Sequence, residues 1–158
     1  MKTPDSNSYM RLALAEAQAA AARGEVPIGA VLVGPLQEGG EERLVLAAAG
    51  NRTEELHDPT AHAELLVIRE AAAKRGAPRL PDCELYVTLE PCAMCATAIS
   101  FARLRRVVFG AYDPKGGGIE HGPRIFTQPT CHHAPEVIGG VGESEAAALL
   151  RAFFEGKR

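Results

Sequence analysis

His62-Ala63-Glu64 and, further along, Pro91-Cys92-Ala93-Met94-Cys95 are the residues of this chain whose types and spacing could do chemistry. One imidazole and two thiolates can hold a zinc ion at three corners of a tetrahedron. The fourth corner stays open to water, which marks a catalytic rather than a structural site. A glutamate close to the histidine is the proton carrier such a water needs. Zinc with two thiolates has no net formal charge, so it acidifies water less than a tri-histidine site and needs a carboxylate base nearby. His62, Cys92 and Cys95 are therefore the expected ligands of one zinc ion, and Glu64 the expected catalytic base. A zinc knuckle or a redox C-x-x-C pair would be the structural alternatives. The His-x-Glu pair at a helix start and the proline directly before Cys92 weigh against both.

The elements around these residues follow from apolar periodicity and turn residues. Tyr9 to Arg23 reads as an amphipathic helix with Leu12, Ala13, Ala17 and Ala20 on one stripe and Gly24 as its stop. Ile28 to Val33 is an apolar run ended by Gly34-Pro35, a buried strand. Residues 36–43 read as a hairpin loop, and Leu44 to Ala49 as the returning strand. Asp58-Pro59-Thr60 resembles a helix start, an acid followed by proline at the first helical position. That helix runs to Arg75 and stops at Gly76, with His62 in its first turn. Leu85 to Leu89 is a third strand, and Pro91 opens a helix through Ala102 with Cys92 at its beginning. Val107 to Gly110 is a fourth strand, Tyr112 to Pro135 a long loop, Val137-Ile138 a short fifth strand, and Glu143 to Glu155 a closing helix with Leu149, Leu150 and Phe153 on its apolar face.

Strands alternating with helices after an opening hairpin predict an α/β fold, a three-layer α/β/α sandwich around a mixed five-stranded sheet. Helix N-termini favour thiolate over thiol, and Cys92 and Cys95 fall on one turn, so both sulfurs can face one point. His62 and Glu64 are harder to reconcile. Residues two apart on a helix point to nearly opposite sides, so both reach one metal only if it sits at the helix end.

The 158 residues suit one domain, 46% hydrophobic composition excludes a disordered chain, and a formal net charge of −3 excludes strong nonspecific attraction to nucleic acid. RNA would have to be met by a local basic patch. The alanine-rich stretch Leu12 to Ala22 carries Glu16 and Gln18 between Arg11 and Arg23, too short and interrupted to cross a bilayer. Asp5 in a polar N-terminus spoils a signal-peptide reading. A C-x-x-C pair committed to metal, with no signal sequence, points to a reducing, cytoplasmic setting.

His57-Asp58-Pro59-Thr60-Ala61-His62-Ala63-Glu64, Leu85-Tyr86-Val87-Thr88-Leu89-Glu90-Pro91-Cys92-Ala93-Met94-Cys95 and Arg106-Val107-Val108-Phe109-Gly110-Ala111 closely resemble the bacterial tRNA-specific adenosine deaminases of the cytidine deaminase-like superfamily. Gly24 to Val33 resembles that family's first strand, and the likeness runs from about Tyr9 to Phe154. The resemblance implies a cytidine deaminase-like fold, one zinc per subunit on His62, Cys92 and Cys95, and proton shuttling by Glu64. It further implies a substrate contact by Asn51, RNA contacts by Asp113 and Lys115, an aromatic contact with the anticodon loop by Phe154, and a homodimer. The implied reaction is hydrolytic deamination of adenosine to inosine at the wobble position of a tRNA anticodon, where the base is already single-stranded and cheap to unstack.

Two other functions compete. A free-base or nucleoside deaminase acting on guanine or cytosine would share the zinc chemistry, and the pI near 6.0 and the short ending Phe153-Phe154-Glu155-Gly156-Lys157-Arg158 favour it. A non-catalytic RNA-binding protein with structural zinc would be indifferent to the loss of Glu64. Elsewhere, Arg103 to Arg106 reads as a solvated helix end or a phosphate-binding surface. Cys131-His132-His133 reads as a loop with hydrogen-bonded histidines rather than a second metal site, Cys83 as a buried or turn cysteine, and Gly116 to Gly118 as part of a flexible lid.

Overall fold

A computed structural model describes residues 6–40 and 42–157. Asp5, Glu41 in the hairpin loop and the terminal Arg158 lie outside the described residues. The order is α1 (Ser6–Ala22), β1 (Gly29–Leu36), β2 (Arg43–Gly50), α2 (Ala63–Arg75), β3 (Glu84–Leu89), α3 (Ala93–Ala102), β4 (Arg106–Ala111), a 3-10 turn (Ile125–Thr127), β5 (Glu136–Ile138) and α4 (Glu143–Glu155). The strands form one sheet in the order β2-β1-β3-β4-β5. β1 runs antiparallel to β2 and β3, whereas β3, β4 and β5 are parallel. The sheet is mixed, as the opening hairpin requires.

Side-chain alternation along the strands divides the core into two layers. Val31, Val33, Tyr86 and Val108 face α1 and α4, against Tyr9, Met10, Ala13, Leu14 and Ala146. Ala30, Leu32, Leu85, Val87, Val107 and Phe109 face the other way, against Val67 and Ala71 of α2 and Ala96, Ile99 and Ala102 of α3. With both faces covered, β3 and β4 can be apolar almost throughout. α1 lies flush on the hairpin because Gly29 has no side chain: a Cβ there would stand 2.0 Å from the carbonyl oxygen of Ala13.

Four local expectations change. β1 continues through Gly34-Pro35 to Leu36, with register shifts against β2 after Leu32 and Val33. Its pairing with β3 ends at Val33↔Glu84, so the missing N–H of Pro35 breaks no bond to β3. α2 begins at Ala63, not at Asp58-Pro59, because the Asp58 carboxylate accepts the N–H of Thr60 at 2.8 Å and its hydroxyl at 2.7 Å. Those bonds close a turn two residues on and leave nothing to cap a helix. Likewise α3 starts at Ala93. Phe153 is half-buried rather than core, since it lies in the last turn of α4, beyond the packed region around Ala146.

Candidate metal centre

β2, β3 and β4 all end at the same edge of the sheet, where the chain turns into Asn51, Glu90-Pro91-Cys92 and Tyr112-Asp113. Open α/β sheets present their ligand sites at such carboxyl ends. His62 and Cys92 are the N-cap residues of α2 and α3, both extended, and neither makes a side-chain capping bond. They turn to each other instead. His62 Nδ1 lies 3.7 Å from Cys92 Sγ and 3.5 Å from Cys95 Sγ. Zinc–nitrogen and zinc–sulfur bonds at tetrahedral angles would separate nitrogen from sulfur by roughly 3.6 Å. The three donor atoms lie within 4.8 Å of one another, and no other His, Cys, Asp and Glu group among the described residues is so arranged. The donor set fits a zinc ion in both chemistry and spacing.

The N-cap position of His62 also answers the helix-geometry objection. His62 stands outside α2 while Glu64 lies in its first turn, so the two side chains are not bound to the angular spacing of a helix. Glu64 is buried, and its Oε1 has no hydrogen-bond partner. Burial pushes its carboxyl above the usual carboxylate range, with the Cys92 sulfur adding to the effect. An orphaned carboxylate oxygen beside three metal-type donors fits a reacting proton better than a structural bond.

Hydrogen bonding from Cys95, and then from His62, holds the Cys92 thiol down to about 4, while donation to Cys92 and burial push the Cys95 thiol up. The Cys92 sulfur in turn raises the His62 imidazole.

The four residues expected to contact substrate divide into two places. Asn51 is buried beside the metal donors, and its Oδ1 accepts the N–H of Ala63 at 2.9 Å. This bond satisfies an end group of α2 that His62 leaves open. Asp113, Lys115 and Phe154 come together with Val26, Tyr112 and Leu150 around an open cleft of about 500 Å³. Phe154 is 52% exposed there.

Three buried glutamates carry structure that sequence reasoning missed. Glu25 accepts the N–H groups of Glu54 at 3.1 Å and Glu55 at 2.8 Å, which fixes the turn ahead of His62. Glu84 accepts the Tyr86 hydroxyl and pairs with Arg43, Arg105 and Arg106. Arg105 and Arg106 are thus ion-paired with Glu84 while Arg105 stays exposed, and Arg103 closes α3 in the left-handed region at φ 60°. Glu90 accepts several backbone N–H groups of the loop that follows Asp113. The available signal was an acid next to or within an otherwise apolar strand, a position that demands partners.

Cys131-His132-His133 folds back on α3: His133 Nε2 bonds the carbonyl of Leu104 at 2.7 Å, and the Ser100 hydroxyl donates to the carbonyl of His133 at 2.7 Å. Cys83 is buried, its thiol pushed up to about 12 by burial. Gly116 to Gly118 do not form a loose lid. The N–H of Gly118 bonds the Pro91 carbonyl at 2.8 Å, tying the loop to the start of α3.

A family model for the cytidine and deoxycytidylate deaminase zinc-binding region matches residues 3–111. A tRNA-specific adenosine deaminase of Agrobacterium fabrum is 59% identical over 150 residues, covering 95% of this chain and 94% of the relative. One from Bacillus subtilis is 47% identical over 92% of this chain and 86% of its own length. A solved structure from studies of A-to-I editing by tRNA:A34 deaminases at the wobble position of transfer RNA superposes with a TM-score of 0.84. It is 59% identical and covers 90% of this chain and 99% of its own.

Proposed function

The chain belongs to the tRNA-specific adenosine deaminases of the cytidine and deoxycytidylate deaminase zinc-binding family, and from that membership we propose that it hydrolyses the wobble adenosine of a tRNA anticodon to inosine, releasing ammonia. The observation that carries this reading is the buried, unpartnered Oε1 of Glu64 beside the His62, Cys92 and Cys95 donors.

His62, Cys92 and Cys95 would hold zinc, which supplies Lewis-acid activation of a water molecule. Glu64 does the proton work. Its carboxylate takes a proton from that water as the oxygen bonds to carbon 6 of adenine. It passes that proton to the ring nitrogen, then takes the second from the new hydroxyl on carbon 6 and gives it to the departing amine, so water enters and ammonia leaves with no net change on Glu64. Burial suits the task, because a carboxyl whose affinity for protons is raised holds the one it has taken until the ring or the amine accepts it. Asn51, with its Oδ1 committed to Ala63, keeps an amide N–H as its means of orienting the base.

Asp113, Lys115 and Phe154 would receive the anticodon loop in the cleft they share, the lysine meeting phosphate and the aromatic ring stacking on a base. The protein would act as a cytoplasmic homodimer. Met94 and Phe101, exposed two turns apart on α3, supply an apolar face for subunit contact. No helix among the described residues is long and apolar enough to cross a membrane.

The test is incubation with an anticodon stem-loop bearing a wobble adenosine, beside free adenine, guanine and cytosine. Inosine formed in the stem-loop supports the assignment. Turnover of a free base alone overturns it.

A further inference from the structure

Glu90 follows β3 immediately and precedes the Pro91-Cys92 segment that carries a metal donor. Its carboxylate is buried, yet both oxygens are fully engaged. Oε1 accepts the N–H of Asp113 at 3.0 Å and meets Nδ1 of His121 at 2.8 Å. Oε2 accepts three successive N–H groups, of Ile119 at 3.2 Å, Glu120 at 2.9 Å and His121 at 3.1 Å. Consecutive amides converging on one anion form a nest, and here the protein fills the nest with its own side chain. The approach requires glycine at 117, where a Cβ would stand 2.4 Å from Glu90 Oε2.

From this arrangement we propose that Glu90 is a positioning residue for substrate: one carboxylate sets the Asp113–His121 loop, and with it the Asp113 and Lys115 side of the RNA cleft, in fixed register to the metal-binding segment that begins at Pro91. The inference rests on the RNA-deaminase reading above for what the cleft receives. The physical reason is connectivity. The loop leaves the sheet at the end of β4, and the metal segment leaves at the end of the neighbouring β3. Among the described residues, two ties join them beyond the sheet in the hydrogen bonds of the loop's glycine-rich part: the Glu90 cluster and the Gly118 N–H to the Pro91 carbonyl. A carboxylate accepting several N–H groups is a strong, directional tie, because each bond is charge-assisted. The alternative, that Glu90 merely stabilises the fold, makes a different kinetic prediction. Global destabilisation lowers the active fraction and so the apparent kcat, leaving KM unchanged. Loss of loop register raises KM for RNA.

The experiment compares the unsubstituted protein with Glu90→Gln and Gly117→Ala. It reads zinc per chain, amide hydrogen exchange at residues 119–121, and kcat and KM on a wobble-adenosine stem-loop. Both variants should keep stoichiometric zinc, lose exchange protection at 119–121, and raise KM about tenfold or more, the size expected for one lost charge-assisted hydrogen bond. kcat should change much less. Retained protection in both variants, or a fall in kcat at constant KM, overturns the proposal. Should the unsubstituted protein leave the stem-loop unchanged, the substrate reading fails, and the exchange data still decide whether Glu90 fixes the loop. If Glu90→Gln does not fold, Gly117→Ala carries the same test from the loop side.

Discussion

The Oδ1 of Asn51 accepts the backbone N–H of Ala63 at 2.9 Å, so the helix that carries Glu64 is capped from the end of β2 rather than by its own N-cap residue. This leaves the His62 ring turned to the sulfurs.

The capping bond of Asn51 and its proposed contact with the base separate by substitution. Asn51→Ala leaves a buried N–H without a partner and should cost about 1–3 kcal/mol in urea unfolding, besides abolishing turnover. Asn51→Asp keeps an acceptor for Ala63 but loses the amide donors. Its stability should stay nearer the parent while turnover still collapses. Full activity in Asn51→Asp would refute the base-orienting role.

Glu64→Gln should retain metal and lose activity by several orders of magnitude, since it keeps the shape but cannot carry a proton. Cys92→Ala should lose the metal itself. Metal content by mass spectrometry beside turnover distinguishes them, and a Glu64→Gln protein that still makes inosine would end the general-base assignment. Chelator treatment of the parent should lower Tm, because any metal bound only by the folded chain stabilises it.

Phe154→Ala and Lys115→Ala should both weaken binding of a stem-loop while leaving zinc content intact. Stacking on an aromatic ring contributes about 1–3 kcal/mol per base, so the phenylalanine variant should lose roughly tenfold or more in affinity. The lysine variant should lose less and flatten the salt dependence. Unchanged affinity in both would remove the cleft from the RNA path.

Glu25 supplies a pH test away from the metal. Burial works to raise its carboxyl, but the N–H groups of Glu55 and Glu54 and the Thr53 hydroxyl outweigh it and hold the group below its ordinary value of 4.5. A depressed folded value means the folded state binds protons less readily than the unfolded one. The resulting stability is therefore complete above 4.5 and disappears as pH falls through the lower folded value. Glu25→Gln should be less stable than the parent at neutral pH, and the gap should close in acid. A gap that stays constant with pH would mean the charge is irrelevant.

Much of this was legible in the sequence, for identifiable reasons. Apolar runs bounded by turn residues and helical patterns located the five strands and four helices of the described residues, and Glu143–Glu155 was bounded correctly. The His62, Cys92 and Cys95 set was legible because ligand chemistry restricts residue types so narrowly. The start of α2 was not, since an acid followed by proline signals a turn as readily as a cap, and only the Asp58–Thr60 bonds decide between them. Nor were the buried glutamates. Glu90 looks like one more residue of the LYVTLEPC string until the loop from Asp113 to His121 closes on it, and that contact spans too many residues for any local pattern to carry.

One consequence concerns how tightly salt would govern RNA capture. Of the 17 lysines and arginines, Arg43, Arg105 and Arg106 share the single inward carboxylate of Glu84, with Glu136 also pairing Arg106, so their charge is partly offset within the protein. Cations held this way displace fewer ions from a nucleic acid than unpaired ones. Association would then release fewer counterions than the count of basic residues suggests, and more of the discrimination among RNAs would rest on the shape of the loop that fits the cleft.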